Sequence, residues 1–452
     1  MLRFCVSTTL ILALSHSTFA VENDLPRRGF LGASLMPVPD DVRAEARLDP
    51  DRGVMIQTVF PDSAAAVASL QPNDIILHID GTELAGESVL SLAVNTIGAH
   101  LPGDDMRLAL VRAGDRVETS VNLKPVPKET HPDFETIYTA VEVDGALHRA
   151  IVTKPRDARS APAVFYLQGL SCASVEAPHN PDDVARQFLN GLTQAGFVTF
   201  RIEKRGVGDS QGAPCAELDF HTELRGYEAG LKHLSEQSFV DASKIVLFGH
   251  SMGGVFAPLL AADNELGGVI VFGTIANSMA TYFEENNRRQ LVMAGLRDRN
   301  LERSMESVTG FIERFFTQRG TPGAIAQTDP AMRRFLARRS SGPESFHGRH
   351  YTFWHQLDDV DLPTPWAKVS APVLAIWGQA DIPASRGDHL LLTETVNANY
   401  PGRATFLELP NIGHGFDTAA TRLESKKNPK GPFNGVIVQE LIAWLRSVVE
   451  EA

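Results

Sequence analysis

The chain has 452 residues, 43% of them hydrophobic and 21% charged, the balance of ordinary globular protein with length for two or three domains. A formal net charge of −13 argues against nucleic acid and against an anionic membrane surface as the main partner. Beyond the first twenty residues, no segment is apolar for long enough to cross a bilayer.

Arg3 precedes an apolar run from Phe4 to Leu14, and Ser15 to Ala20 supply a small-residue exit with Thr18 and Ala20 at cleavage-type positions. Residues 1–20 therefore read as a secretory signal peptide, too short in its apolar core for an ordinary transmembrane helix. The mature chain is expected to be secreted or periplasmic. It keeps two cysteines, Cys172 and Cys215, the minimum for a disulfide in an oxidising compartment.

Residues 27–124 form one compositional unit. Strand patterns at Gly29–Leu35, Gly53–Val59 and Asp74–Gly81 precede a helical stretch from Glu87 to Gly98. Two closing strands, Met106–Arg112 and Arg116–Leu123, complete a small β-rich domain with a short helix at Ser63–Ser69. Its Gly29-Phe30-Leu31-Gly32, Pro61-Asp62-Ser63-Ala64-Ala65 and Leu70-Gln71-Pro72-Asn73-Asp74-Ile75-Ile76 segments, with Ile79-Asp80-Gly81, resemble a bacterial PDZ domain. The resemblance implies that backbone amides at Phe30, Leu31 and Gly32 hold a terminal carboxylate. It also implies that the helix from Glu87 to Gly98 lines an apolar groove with Val89, Leu90, Leu92, Ala93, Val94 and Ile97. The partner expected there is a protein C-terminus.

Lys124 leads into a proline-spaced, charged stretch over 125–133 that reads as a stiff linker. From residue 134 the pattern changes. Two strands around Asp144-Gly145 read as an antiparallel pair, and strands then alternate with helices: Ala163–Leu167, the helix Asp182–Ala195, Phe197–Ile202, the helix Thr222–Ser235. Such alternation predicts an α/β domain over 134–452, a mostly parallel sheet with helices on both faces. Residues 275–366 lack strand signals and read as several helices, among them Tyr282–Arg297 and Leu301–Gln318, inserted after the sixth strand as a cap.

The chemistry centres on Ile245-Val246-Leu247-Phe248, a strand that ends in Gly249-His250-Ser251-Met252-Gly253 and runs into a helix from Val255. Gly-x-Ser-x-Gly between strand and helix is the nucleophile elbow, in which a tight turn exposes the serine hydroxyl. A serine needs a general base, a carboxylate to orient it, and donors for the oxyanion. Two later strands supply the first two in the order Ser, Asp, His. Val373–Trp377 runs into Gly378-Gln379-Ala380-Asp381, and Thr405–Leu409 runs into Pro410-Asn411-Ile412-Gly413-His414-Gly415. Asp388, Asp417, His389 and His250 compete for those roles. None of the fourteen histidines stands in His-x-x-x-His spacing, and neither metal nor other cofactor is expected.

Together with Lys204-Arg205-Gly206-Val207-Gly208-Asp209-Ser210, these motifs make residues 134–452 resemble an α/β-hydrolase of the serine esterase and serine peptidase group. That resemblance implies an oxyanion hole from the amides of Met252 and Leu170, with Gln168 where many relatives carry histidine. It also puts Cys172 in the oxyanion loop and Cys215 beyond the 204–212 loop, at one rim of the sheet, so a Cys172–Cys215 bridge is expected. The function implied is ester hydrolysis on a small substrate by Ser251, Asp381 and His414. A peptidase with the same triad and a catalytically silent PDZ scaffold are the alternatives.

Overall fold

The computed structural model describes residues 25–86, 89–429 and 431–449, so the leader expected over residues 1–20 lies outside the described residues. The N-terminal part is an antiparallel sheet in the order Ala33–Pro37, Val54–Val59, Ile75–Ile79, Asp105–Arg112, Asp115–Asn122, with Thr82–Glu83 paired off Ile75–Ile79. Val54, Ile56, Ile76, Ile79 and Met106 fill its core against the helix Val89–Gly98. A helix over Asp40–Glu45, absent from the sequence reading, buries no residue. Val42 alone of its six residues packs on the apolar cluster around Val38 and Met55, too little for a helical period to show.

The helix Val89–Gly98 divides its apolar residues differently from expectation. Val89, Ala93 and Ile97 are buried in the core, while Leu90 and Leu92 are half-buried and Val94 is 54% exposed. Only the latter set is available to line a groove. In the loop ahead of it the Leu31 carbonyl accepts from the Ala65 amide at 2.7 Å and the Gly32 carbonyl from the Phe60 amide at 2.9 Å. In a planar trans peptide C=O and N–H point oppositely, so the Gly32 amide faces away from Ala65. Gly32 has φ +78°, and a Cβ there would lie 2.1 Å from Ser63 Cβ.

The second sheet has eight strands in the spatial order Phe134–Val143, Ala146–Pro155, Val198–Ile202, Ala161–Leu167, Val240–His250, Gly268–Phe272, Val373–Gly378, Ala404–Leu409. The first two form an antiparallel hairpin whose second strand also runs antiparallel to Val198–Ile202; the remaining pairings are parallel. Both faces are covered, which explains the near-continuous apolar runs of the central strands. Val164, Val246, Phe248, Ile270 and Ile376 pack against Phe188, Leu192, Leu441 and Leu445 of the helices Val184–Gln194 and Val436–Val449. Phe165, Leu247, Val271 and Ala375 face the helices Phe220–Ser235, Gly253–Ala261 and Arg386–Asn399. This is the α/β-hydrolase architecture the motifs implied.

Between Phe272 and Val373 the chain leaves the sheet. It forms the helices Met279–Met293, Asp298–Ile312, Pro322–Thr328, Pro330–Leu336, Tyr351–Asp358 and Pro363–Trp366, and the two-residue strands Ser345–Phe346 and Arg349–His350. The short hairpin is the one departure from an all-helical reading. It buries Phe346 against Phe311 and Phe315 in an aromatic cluster.

The stretch 125–133, read as a spacer, is strapped down. Lys124–Pro125 pairs with Gly29–Phe30, Arg27 donates to the carbonyls of Val126 and Pro127, and Glu129 is buried against Arg201. His179 of the second domain stacks on Phe30 and Phe60 of the first at 4.7 and 4.5 Å.

Candidate active site

Sheet order brings the site together. The strand Ala161–Leu167 lies between strands whose connections run off in opposite directions, and Leu167 pairs in register with Gly249. A crevice forms outside the carboxyl ends of strands at such a switch point. The loops after Leu167, His250, Phe272, Gly378 and Leu409 therefore line up along one rim.

The turn at Ser251 is strained. Its φ is +55°, and its amide donates to the Phe272 carbonyl at 2.9 Å. A left-handed non-glycine residue costs of order 1–3 kcal/mol and persists only where its surroundings enforce it. Here they do, because a Cβ at Gly249 would lie 2.6 Å from the Gly253 carbonyl oxygen and one at Gly253 would lie 1.9 Å from that of Leu167. Gly254 is equally confined, 2.5 Å from Thr274 Cβ. Met252 caps the helix Gly253–Ala261, so its amide sits at the positive end of a helix dipole.

His414 Nδ1 lies 2.8 Å from Asp381 Oδ2, and the fully buried Asp381 also accepts from the Ala384 amide at 2.8 Å. The carboxylate holds the imidazole proton on Nδ1 and leaves Nε2 free to take a proton. Burial by itself pulls His414 down, but the charge and hydrogen bond of Asp381 outweigh it, Asp417 adds to them, and the net shift is upward. Ser251 Oγ and His414 Nε2 are not hydrogen-bonded among the described residues. Such contacts often tighten only with substrate present.

Two further residues support the pair: Gly273, which the sequence did not single out, and His250, which it offered only as a rival for the triad roles. Gly273, φ +64°, follows the strand Gly268–Phe272, and a Cβ on it would lie 2.8 Å from Asp381 Oδ2 and 2.9 Å from His414 Nδ1. His250 Nε2 lies 2.8 Å from the His414 carbonyl. Burial, with His414 adding, pushes His250 down to about 4, so it is neutral and donates to that carbonyl. The competing groups are occupied elsewhere: Asp388 accepts from the Ala276 amide and Ser385, and His389 uses both ring nitrogens on the backbone of Thr274 and Ser385. Asp417 accepts from the Gly415 amide.

Across from Ser251 runs the loop after Leu167. A Cβ on Gly169 would lie 3.2 Å from Ser251 Cβ, so this backbone passes directly beside the serine. Gln168 turns its side-chain amide to the Ala173 carbonyl at 2.9 Å and supports its own loop. Cys172 is joined to Cys215 with Cα atoms 5.7 Å apart. Lys204 and Arg349 reach the carbonyls of this loop from behind. Beside Asp381, Ile382 borders a cleft with Arg289, Met293, Arg297 and Arg422.

Residues 183–403 match the family model described as "Serine aminopeptidase, S33", and residues 29–123 match the one described as "PDZ domain". A probable periplasmic serine endoprotease DegP-like of Hahella chejuensis is 30% identical over 103 residues, 23% of this chain and 21% of that protein. The chain thus spans about a fifth of the length of these DegP-like relatives. Esterase EstD of Thermotoga maritima is 20% identical over 296 residues, covering 65% of this chain and 64% of the esterase. Among solved structures, Est1E from Butyrivibrio proteoclasticus matches 69% of this chain and 99% of its own at 14% identity and a TM-score of 0.43.

Proposed function

We propose that this chain, which joins a PDZ domain to an α/β-hydrolase domain, is an exported serine hydrolase that cleaves carboxylic esters through an acyl-enzyme. One observation carries the reading: a serine in left-handed conformation at the end of a central strand, on the same rim as a histidine held 2.8 Å from a buried carboxylate. Ser251 Oγ attacks the ester carbonyl while His414 Nε2 takes its proton. The oxyanion develops toward the amides of Leu170 and Met252, and the imidazolium is stabilised by Asp381. His414 then passes the proton to the departing alkoxide, leaving an acyl group on Ser251. A water, deprotonated by His414, attacks this acyl group, and the carboxylic acid leaves with Ser251 restored.

The aminopeptidase family match keeps a peptidase as the second reading. Against it stands the sign of the cleft beside Asp381, where Arg289, Arg297 and Arg422 would repel a substrate's terminal ammonium. The leader over residues 1–20 and the periplasmic relatives support export. The loop at Phe30, Leu31 and Gly32 is proposed to take the C-terminus of a peptide.

A fluorophosphonate probe tests the core claim. Wild-type protein is expected to be labelled and Ser251→Ala is not; equal labelling of the two, or none in wild type, ends it. On a panel of acyl esters and aminoacyl or dipeptidyl amides, faster turnover of the amides would transfer the assignment to a peptidase.

A further inference from the structure

Three consecutive carbonyls in the loop beside Ser251 point at buried cations. Lys204 Nζ donates to the carbonyl of Gly169 at 2.5 Å and to that of Ser171 at 3.0 Å. Arg349 donates to the carbonyl between them, Leu170, at 3.3 Å. Glu223 joins the two cations, 2.9 Å from Lys204 Nζ and 2.5 Å from Arg349, and all three side chains are at most 2% exposed. They come from three parts of the fold: Lys204 just past the strand Val198–Ile202, Glu223 from the helix Phe220–Ser235, and Arg349 from the hairpin in the inserted segment.

Such a cluster is an expensive way to brace a loop. Burying charges carries a desolvation penalty that apolar packing or neutral donors would avoid. What charges add is polarity. The Gly169 carbonyl and the Leu170 amide belong to one planar trans peptide and point in opposite directions. A cation fixed on that carbonyl turns the Leu170 N–H away from Lys204. It also withdraws electron density from the peptide, and the amide becomes a stronger donor.

We propose that Lys204, Glu223 and Arg349 form a positioning relay that aims and strengthens the Leu170 amide for the oxyanion formed at Ser251. The proposal rests on the serine-hydrolase reading and assigns a task to the Lys204-Arg205-Gly206 motif that the triad leaves unexplained. Burial lowers Lys204 to about 8, against the opposing pull of Glu223, and the ammonium remains charged at neutral pH. Because Arg349 lies in the inserted segment, the relay also makes the oxyanion amide depend on that segment being in place.

The test uses the full mature chain, a neutral ester, and an aryl trifluoromethyl ketone whose hemiketal oxyanion mimics the transition state. Removing an oxyanion donor outright costs about 10²–10³ in kcat, so weakening one should cost about tenfold or more. Lys204→Met is expected to lower kcat and ketone affinity in parallel, with KM changed by no more than about twofold. Arg349→Met, which keeps the Lys204–Glu223 pair, decides alone should Lys204→Met fail to fold. A folded variant of either kind with wild-type kcat and ketone affinity overturns the relay. So does a loss of kcat with ketone binding intact, since a purely structural fault need not follow the oxyanion. Failure of the wild type to react with fluorophosphonate would instead sink the parent reading.

Discussion

At His414 two opposing influences set the charge state, and Asp381 wins over burial. The folded pKa is raised, so protonated His414 favours the fold at low pH, a contribution lost as pH rises through that value. Under the proposed mechanism the rate has the opposite sign, because His414 must be neutral to act as general base: kcat/KM should fall as pH drops through a limb above the ordinary histidine value of about 6.5. Asp381→Asn should move that limb to lower pH and cut kcat by roughly 10⁴, since the proton is no longer held on Nδ1. A wild-type acid limb at or below the ordinary value would contradict this account. The sequence already singled out Ser251, Asp381 and His414, because each sits just past a strand with turn residues around it. Gly273 carried no such signal, and His250 was visible only as a rival for the triad roles. Their tasks come from steric and hydrogen-bond contacts with a loop more than 100 residues away in the chain, made adjacent only by the sheet.

At the scale of elements, the loop after Leu167 is tied from two sides. The Cys172–Cys215 bridge spans 43 residues, for which loop closure predicts about 4 kcal/mol of stabilisation in the chain-entropy model. Thermal melting with and without reductant should show a drop of several degrees, mirrored by a Cys172→Ser, Cys215→Ser double variant; coincident melting curves would remove the bridge from the account. Helix boundaries in the inserted segment show how local signals work. The helix read as Tyr282–Arg297 begins at Met279, because Ser278 accepts from the Thr281 amide, and it ends at Met293, just before Gly295 at φ +93°. The next begins at Asp298 rather than Leu301, with Asp298 itself in its first turn, a favourable place for a negative charge. The hairpin carrying Arg349 is too short for any strand period to announce it.

For the whole molecule, the N-terminal part and the hydrolase sheet are joined through buried charge. Arg27 serves Glu176 and Asp209 at 2.6 and 2.5 Å, and Glu129 serves Arg201; each of these partners has a side chain at most 6% exposed. A fragment starting at residue 134 would leave Glu176 with the Tyr138 hydroxyl but no cation, Arg201 with the Val175 carbonyl but no carboxylate, and Asp209 with Arg149 alone as ion-pair partner. Breaking a buried pair costs about 3–5 kcal/mol. The fragment is therefore expected to unfold at clearly lower denaturant concentration than the full mature chain. Equal midpoints would mean that the two parts are independent. The loop bearing His179, stacked on Phe30, is the same loop that carries Leu170 and Cys172, so one backbone segment of the hydrolase sheet reaches both Cys215 and the N-terminal part.

The amino-acid sequence by itself determined the alternation of strands and helices, the small β-rich unit ahead of it, and the three residues in the order of an α/β-hydrolase. Those depend on short-range patterns: hydrophobic period, turn residues and capping. Only the tertiary structure decided which loops become neighbours, that 125–133 is strapped down instead of free, and that Lys204, Glu223 and Arg349 meet behind the loop after Leu167. These follow from sheet order and from pairing of buried charges across distant segments, which local spacing does not encode.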